Sequence, residues 1–224
     1  EIACCDWSSD VCSSDLARMI TAGTGFGVDC APEDVLTVDP VTLATMWTRR
    51  PEGASPLLMA LATTGTDGYP RVRHVLLTEI DDGALYFHTD SRSDKVAELA
   101  ASPRACLSIP WPADGRQLGV VGDVQTADDT ELRRAYEARS RYLKLLAWLN
   151  DAEHAALPPA TRHERWAAFD AGHPNPQPPS TWTGFAVIPR EFTFWRGDPD
   201  GPSQRVRFRR KTPRDEWMSQ ILPG

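Results

Sequence analysis

Arg205, Arg207, Arg209, Arg210 and Lys211 crowd one short C-terminal stretch, a spacing of cations that could grip a phosphate backbone. No nucleic-acid-binding motif accompanies them, and the chain as a whole is acidic at a formal −7, so no nucleic-acid partner is expected. His154, His163 and His173 lack the HExxH or close i,i+4 pairing that would hold zinc, and no metal site is expected. No GxSxG elbow or phosphate-loop signature is present. His88 is titratable but has no charge partner nearby in sequence, and it reads first as a structural histidine. Taken singly, Lys95 reads as an exposed helical lysine and Trp195 as core packing; Arg73 stands evenly between solvated strand residue and ligand. Their setting must decide.

That setting is a run of short strands. A helix is expected over Val41–Arg49, opened by Asp39-Pro40. Strands follow at Pro56–Thr63, Arg71–Ile80 and Ala84–Thr89, joined at Thr66-Asp67-Gly68 and Asp81-Asp82-Gly83, which reads as a meander. Ser93 looks like the N-cap of a helix over DKVAELAA, which Pro103 ends. Strands at Ala105–Pro110 and Gln117–Thr126 precede a longer helix begun by Asp128-Asp129 and carrying Leu132, Tyr136 and Leu143. Residues 157–180 hold several prolines around a short helical piece. The chain closes with strands at Thr183–Ile188, Glu191–Trp195, Arg205–Arg210 and Glu216–Leu222. Many short antiparallel strands with a few helices point to a closed, mostly β barrel with helical additions.

Composition agrees with one globular domain: 224 residues, 41% hydrophobic and 25% charged, enough for one sizeable core. Residues 1–16 are set aside, because DWSSDVCSSDL looks like a sequencing adapter translated in frame; residues 17–38 read as a flexible lead-in, and 39–224 as the single domain. Without Glu1, Asp6, Asp10 and Asp15 the 31 acidic side chains fall to 27 against 24 basic ones, close to neutral. Cys30 and Cys106 then remain, too far apart in sequence for a zinc motif or a disulfide scaffold, and Cys106 in ACLSI reads as a buried thiol. No apolar run nears the roughly 20 residues of a membrane span, and no basic leader precedes an apolar core, so the protein is expected to be cytoplasmic and away from membranes.

The order of several sequence blocks is more specific. LLMALATTGTDGYPRVRHVLL, YFHTDSRSDKVAELAASPRACLSIPW, RQLGVVGDV, PPSTWTGFAVIPREFTFWRG and RVRFRR follow one another, with a Trp and a terminal LxP beyond. Together they resemble the pyridoxamine 5'-phosphate oxidase family over most of residues 56–224. The resemblance implies a split β-barrel, Greek-key-like and homodimeric, with FMN in the cleft between subunits and residues of about 180–224 forming the dimerisation segment. It implies that Arg73 and Lys95 hold the FMN phosphate, with Ser93 beside them. His74, Val75, Leu76 and Thr78 would run along the ring, and His88-Thr89 falls where the family has a Tyr-Thr pair on the flavin. Gln117 matches a glutamine at the ring edge; Trp195 and Arg205 match a flavin-contacting pair supplied across the dimer. A dianionic phosphate needs fixed cations and donors, and an isoalloxazine ring needs apolar walls.

On the substrate side the pattern departs. The family's phosphate-gripping lysine is Thr78 here, its Arg-x-His reads Gly201-Pro202-Ser203, and its Tyr…Arg…Ser set survives as Tyr136 with Arg139 or Arg141, the serine having become Leu143. Asp94 stands where an FMN arginine is usual, and a Gln-Ser flavin pair is replaced in LNDAEH. Losing three charge-assisted phosphate contacts, each worth about 1.5–3 kcal/mol, removes several decades of affinity for a phosphorylated vitamer. The expectation is therefore an FMN-dependent oxidase that takes hydride from a small amine, alcohol or reduced ring, with oxygen as acceptor and no assigned catalytic side chain. Two other readings are a split-barrel protein that holds flavin, deazaflavin or haem without turnover, and a reductase using the deazaflavin F420.

Overall fold

The computed structural model describes residues 38–50 and 54–224. The leader, Cys30 and the lead-in up to residue 37 lie outside them. Helix α1 (Pro40–Thr48) starts where expected: Asp39 accepts from the amides of Val41 and Thr42, both at 3.0 Å, and Pro40 takes a position that needs no donor. Its buried face of Leu43, Ala44 and Trp47 packs on the barrel through Trp47, edge-on to Phe194 at 5.1 Å.

Strands β1 (Leu58–Thr64) and β2 (Pro70–Leu76) pair as a hairpin, and β3 (Glu79–Asp81) and β4 (Ala84–Asp90) as another. Asp82 and Gly83 turn the second with φ of 45° and 75°, the two positive angles of a tight hairpin turn. These hairpins are not a meander: β1 goes on to pair with β5 (Arg104–Trp111), and β4 with β7 (Trp182–Arg196). The single strand expected over Arg71–Ile80 breaks for the same reason. Leu77 donates to Leu57 on one side at 2.9 Å, and Thr78 donates to Tyr86 on the other at 2.8 Å. The chain changes partner there, linking the two ends of the curled sheet.

The order is β2-β1-β5-β6-β7-β4-β3, with β6 spanning Arg116–Thr126, β8 (Gln204–Arg209) on β7 and β9 (Met218–Leu222) on β8. The two strands expected on either side of Pro189 are one. A bulge at Val121/Gly122 absorbs the irregularity, and Gly122 lies so close to the opposing chain that a Cβ would meet the Ile188 carbonyl at 2.5 Å. Alternation sends Met59, Leu61, Leu85, Phe87, Ile109, Leu118, Phe192 and Phe194 into one core, each such burial worth about 1.5–3 kcal/mol. The same alternation corrects Cys106: β5 buries Ala105, Leu107 and Ile109, so Cys106 faces outward and is exposed.

Helix α2 (Asp94–Ala101) follows β4. The long helix expected after Asp128 is two, α3 (Asp129–Glu137) and α4 (Arg141–Leu149), because Ser140 caps a fresh start. A four-residue α5 (Ala152–Ala155) comes next, and the proline-rich excursion holds a 14-residue α6 (Pro159–Gly172) rather than a short piece. Among the described residues no helix is long and apolar enough to cross a membrane.

Candidate functional site

Arg73 on β2 and Lys95 in the first turn of α2 line one cavity of about 620 Å³, with Asp90, Arg92, Ser93, Asp94 and residues 150–153. The strand and the helix start meet because α2 lies over the end of β1 and β2. Glu98, one turn beyond Lys95, is only 5% exposed and reaches Arg73 at 2.5 Å, while Thr63 bonds both partners. Burial pushes the Glu98 carboxyl up, but Thr63 and Arg73 outweigh that and hold it below the usual range. The guanidinium is thereby aimed before any ligand arrives. Lys95 donates to Thr89 at 3.0 Å; burial, and then Arg73, lower its pKa.

Asp94 does not cap its helix. Ser93 is the cap residue and spends its hydroxyl on the Asp90 carbonyl at 2.8 Å, leaving Asp94 exposed on the cavity rim. The cation that sequence reading missed is Arg92, held by Asp90 at 2.7 Å and Asp151 at 3.6 Å on the same rim.

A narrower cavity of about 340 Å³ shares Asp90, Ser93, Lys95 and Asn150 with the first and continues along His74, Val75, Leu76, Thr89, Leu146 and Trp182. Its back wall is a stack. His88 lies parallel to Trp182 at 5.0 Å and 7°, and Arg139 covers a Trp182 ring face at 4.2 Å. Because Phe87 points into the core, His88 must point the other way, under α3. Its partner in register is Gly184, where a Cβ would fall 2.4 Å from the imidazole Cδ2, so glycine there makes room for the ring. His88 Nδ1 lies 2.9 Å from the Thr78 hydroxyl, and Nε2 faces Glu131 at 3.6 Å. The structure thus supplies the carboxylate partner that local sequence did not reveal.

Burial, with Arg139 and Arg134 adding to it, lowers the His88 pKa from 6.5 to about 4. The unfolded chain takes up this proton near pH 6.5 and the folded chain does not. Stability is therefore unaffected above pH 6.5 and falls as pH drops from 6.5 to 4, by about 3 kcal/mol. Urea denaturation across that range should show the loss, and His88→Asn should flatten it.

A third cavity, about 690 Å³, shares Leu76, Arg139 and Leu143 with the second. Thr78, Leu57, Leu77 and Ile80 wall it, Arg49 and Arg50 stand at the end of α1, and Ala135, Arg139 and Leu143 line it at four-residue spacing. Of the expected substrate set, Arg139 faces this space; burial lowers its pKa to about 10, so it stays charged at neutral pH. Arg141 turns away to Asp170 at 2.5 Å. Tyr136 is buried on the far side of α3, donating to the Gln177 carbonyl at 3.0 Å. Ser203 lies beside Gly224, away from all these cavities.

Gln117, Trp195 and Arg205 are brought together elsewhere. They are successive register partners across β6, β7 and β8, on the outward side of the sheet. None lines the cavities around Arg73 and Lys95 within one chain. The next outward row reads His74, Ala60, Ser108, Gly119, Thr193, Arg207 and Gln220; the row beyond it contains the exposed Val72 and Val121. Among the described residues no cluster of three or more His, Cys, Asp or Glu could hold a metal.

Residues 50–168 match the family described as pyridoxamine 5'-phosphate oxidase, and residues 182–223 the pyridoxine 5'-phosphate oxidase C-terminal dimerisation region. A pyridoxine/pyridoxamine 5'-phosphate oxidase of Acidothermus cellulolyticus is 36% identical over 198 residues, covering 85% of this chain and 88% of that protein. One from Azorhizobium caulinodans is 34% identical over 198 residues, covering 83% and 90%. The crystal structure of PhzG from Burkholderia lata, solved with tetrahydrophenazine-1-carboxylic acid, superimposes with a TM-score of 0.74 at 24% identity over 89% of this chain and all of that one. A pyridoxamine 5'-phosphate oxidase-related, FMN binding protein from Nostoc punctiforme does so with 0.59 at 20% identity, over 75% and 88%. At these identities the two structures establish the fold alone.

Proposed function

Because the chain belongs to the pyridoxamine 5'-phosphate oxidase family, we propose that it is an FMN-dependent oxidase, acting as a homodimer on a small amine, alcohol or reduced ring that lacks a phosphate. The observation that carries this reading is the convergence of Arg73 and Lys95 on one cavity. The residues present fit the cofactor. Arg73 and Lys95 offer charged donors to its phosphate, the α2 N-terminus adds its partial positive charge, and Arg92 offsets the nearby acids. Val75, Leu76 and Trp182 offer the apolar wall that a tricyclic ring needs. Bound FMN supplies an acceptor for an electron pair and passes it on, in this proposal to dioxygen.

The chain's own residues do the rest by binding and orientation. Glu98 fixes Arg73, and Lys95 is steadied by Thr89. The outward row Gln117–Trp195–Arg205 lies on the sheet face whose C-terminal strands match a dimerisation region, which supports its meeting the partner's cavity across a two-fold axis. In the third cavity, Ala135, Leu143 and Ile80 favour an apolar ring, and Arg139, Arg49 and Arg50 favour a single anionic group on it.

Purified protein should be yellow and should release FMN on denaturation, identified by mass. Oxygen uptake with pyridoxamine 5'-phosphate or pyridoxine 5'-phosphate should be little or none. A colourless protein that takes up no added FMN would overturn the cofactor assignment; rapid turnover of either vitamer would overturn the substrate assignment.

A further inference from the structure

Glu131, His88 and Thr78 form a chain of groups from a buried carboxylate to the exposed hydroxyl that lines the third cavity. One Glu131 oxygen is anchored by Arg134 at 2.6 Å, and Arg134 is itself held by Glu79 and Asp81. The other oxygen faces His88 Nε2 at 3.6 Å, just beyond hydrogen-bonding distance. Both facing atoms are buried and neither has a hydrogen-bond partner. Trp182 and Gly184 fix the plane of the ring between them.

Proton counting then sets the direction of every bond. A carboxylate only accepts, and a bare Nε2 lone pair held 3.6 Å from its oxygen would be repelled, so the imidazole proton sits on Nε2. A neutral imidazole has one N–H, so Nδ1 accepts, and the bond to Thr78 at 2.9 Å must be donated by Thr78. We propose that Glu131 and His88 are positioning residues that commit the Thr78 proton inward, so that Thr78 offers the cavity only lone pairs and selects a ligand whose nearest group donates a hydrogen bond. The ring stays neutral because burial and the cations Arg139 and Arg134 oppose a second proton. Burial pushes the Glu131 carboxyl up and Glu79 on β3 adds to this, while Arg134 on its own helix opposes it; Tyr86 on β4 lies in the field of Glu131. An amine or alcohol meets the requirement; an ether or a tertiary amide does not.

The chain of bonds stands without a cofactor, but taking this cavity as the substrate's rests on the function proposed above. Nitrogen-15 spectra of histidine-labelled protein at pH 7, with His88→Asn for assignment, should show His88 protonated on Nε2 alone. Glu131→Gln, whose amide can donate to Nε2, should move that proton to Nδ1. Titration with phenol and with anisole should show phenol about fivefold tighter, the worth of one neutral hydrogen bond of about 1 kcal/mol. Thr78→Val and Glu131→Gln should each abolish that preference. A proton on Nδ1 in the parent protein, or a phenol preference unchanged in Thr78→Val, would overturn the proposal. Flavin uptake is read separately: a colourless protein with the expected tautomer and preference refutes the cofactor and leaves this inference standing.

Discussion

Replacing Arg73 by methionine should cost the protein both its cofactor and part of its stability. A charge-assisted hydrogen bond is worth about 1.5–3 kcal/mol, so FMN affinity should fall by roughly one to two decades, read by flavin fluorescence quenching. The stability loss has a different origin. Glu98 is only 5% exposed and would keep only Thr63 as a partner. A buried carboxylate stripped of its cation costs about 3 kcal/mol, or about 6–12 °C in the melting temperature of the cofactor-free protein. Combining Arg73→Met with Glu98→Gln should restore most of the stability and none of the FMN affinity. If the single variant keeps its FMN affinity, the phosphate role of Arg73 fails. If it keeps its melting temperature, the pairing with Glu98 contributes little.

Phe194→Ala should be the most destabilising single change, at about 3–5 kcal/mol. Its ring is 2% exposed and joins three elements: Trp47 of α1 at 5.1 Å, Phe192 of its own strand at 5.9 Å and Phe208 of β8 at 5.9 Å. Removing it opens a cavity between helix and barrel that rigid strands cannot collapse to fill. Tyr69→Ala, on a side chain 69% exposed at a turn, should stay within about 0.5 kcal/mol. Chemical denaturation of both variants tests the contrast; equal losses would mean that the core is not centred on this strand.

Local pattern made much of the framework legible. Short strand-like runs between turn signals marked β1, β5 and β6, Asp82-Gly83 marked a hairpin, and Asp39-Pro40 marked α1. The ordered blocks made Arg73 and Lys95 candidates for one anion site, and the two do line one cavity. Where the expectations failed, the deciding contact was distant in sequence. The split at Leu77 and Thr78 exists because their amides donate to carbonyls of different strands, Leu57 and Tyr86, and β7 runs through Pro189 because a bulge leaves Arg190 without a register partner on β6. Cys106 was misread because an apolar stretch does not say which face of a strand a residue takes.

Residue order alone was enough for the strand content of the barrel, its turns, the family and the residue types available to hold a phosphate. Which of those residues meet was settled by how the strands and helices close on one another. Glu98 on Arg73 is a contact 25 residues apart, and Glu131 joins His88 only after α3 folds back over β4. Gly184 matters because register sets it opposite an imidazole. The physical reason is common to all three: backbone propensities act within a few residues, whereas pairing, burial and charge neutralisation act between segments that chain closure brings side by side.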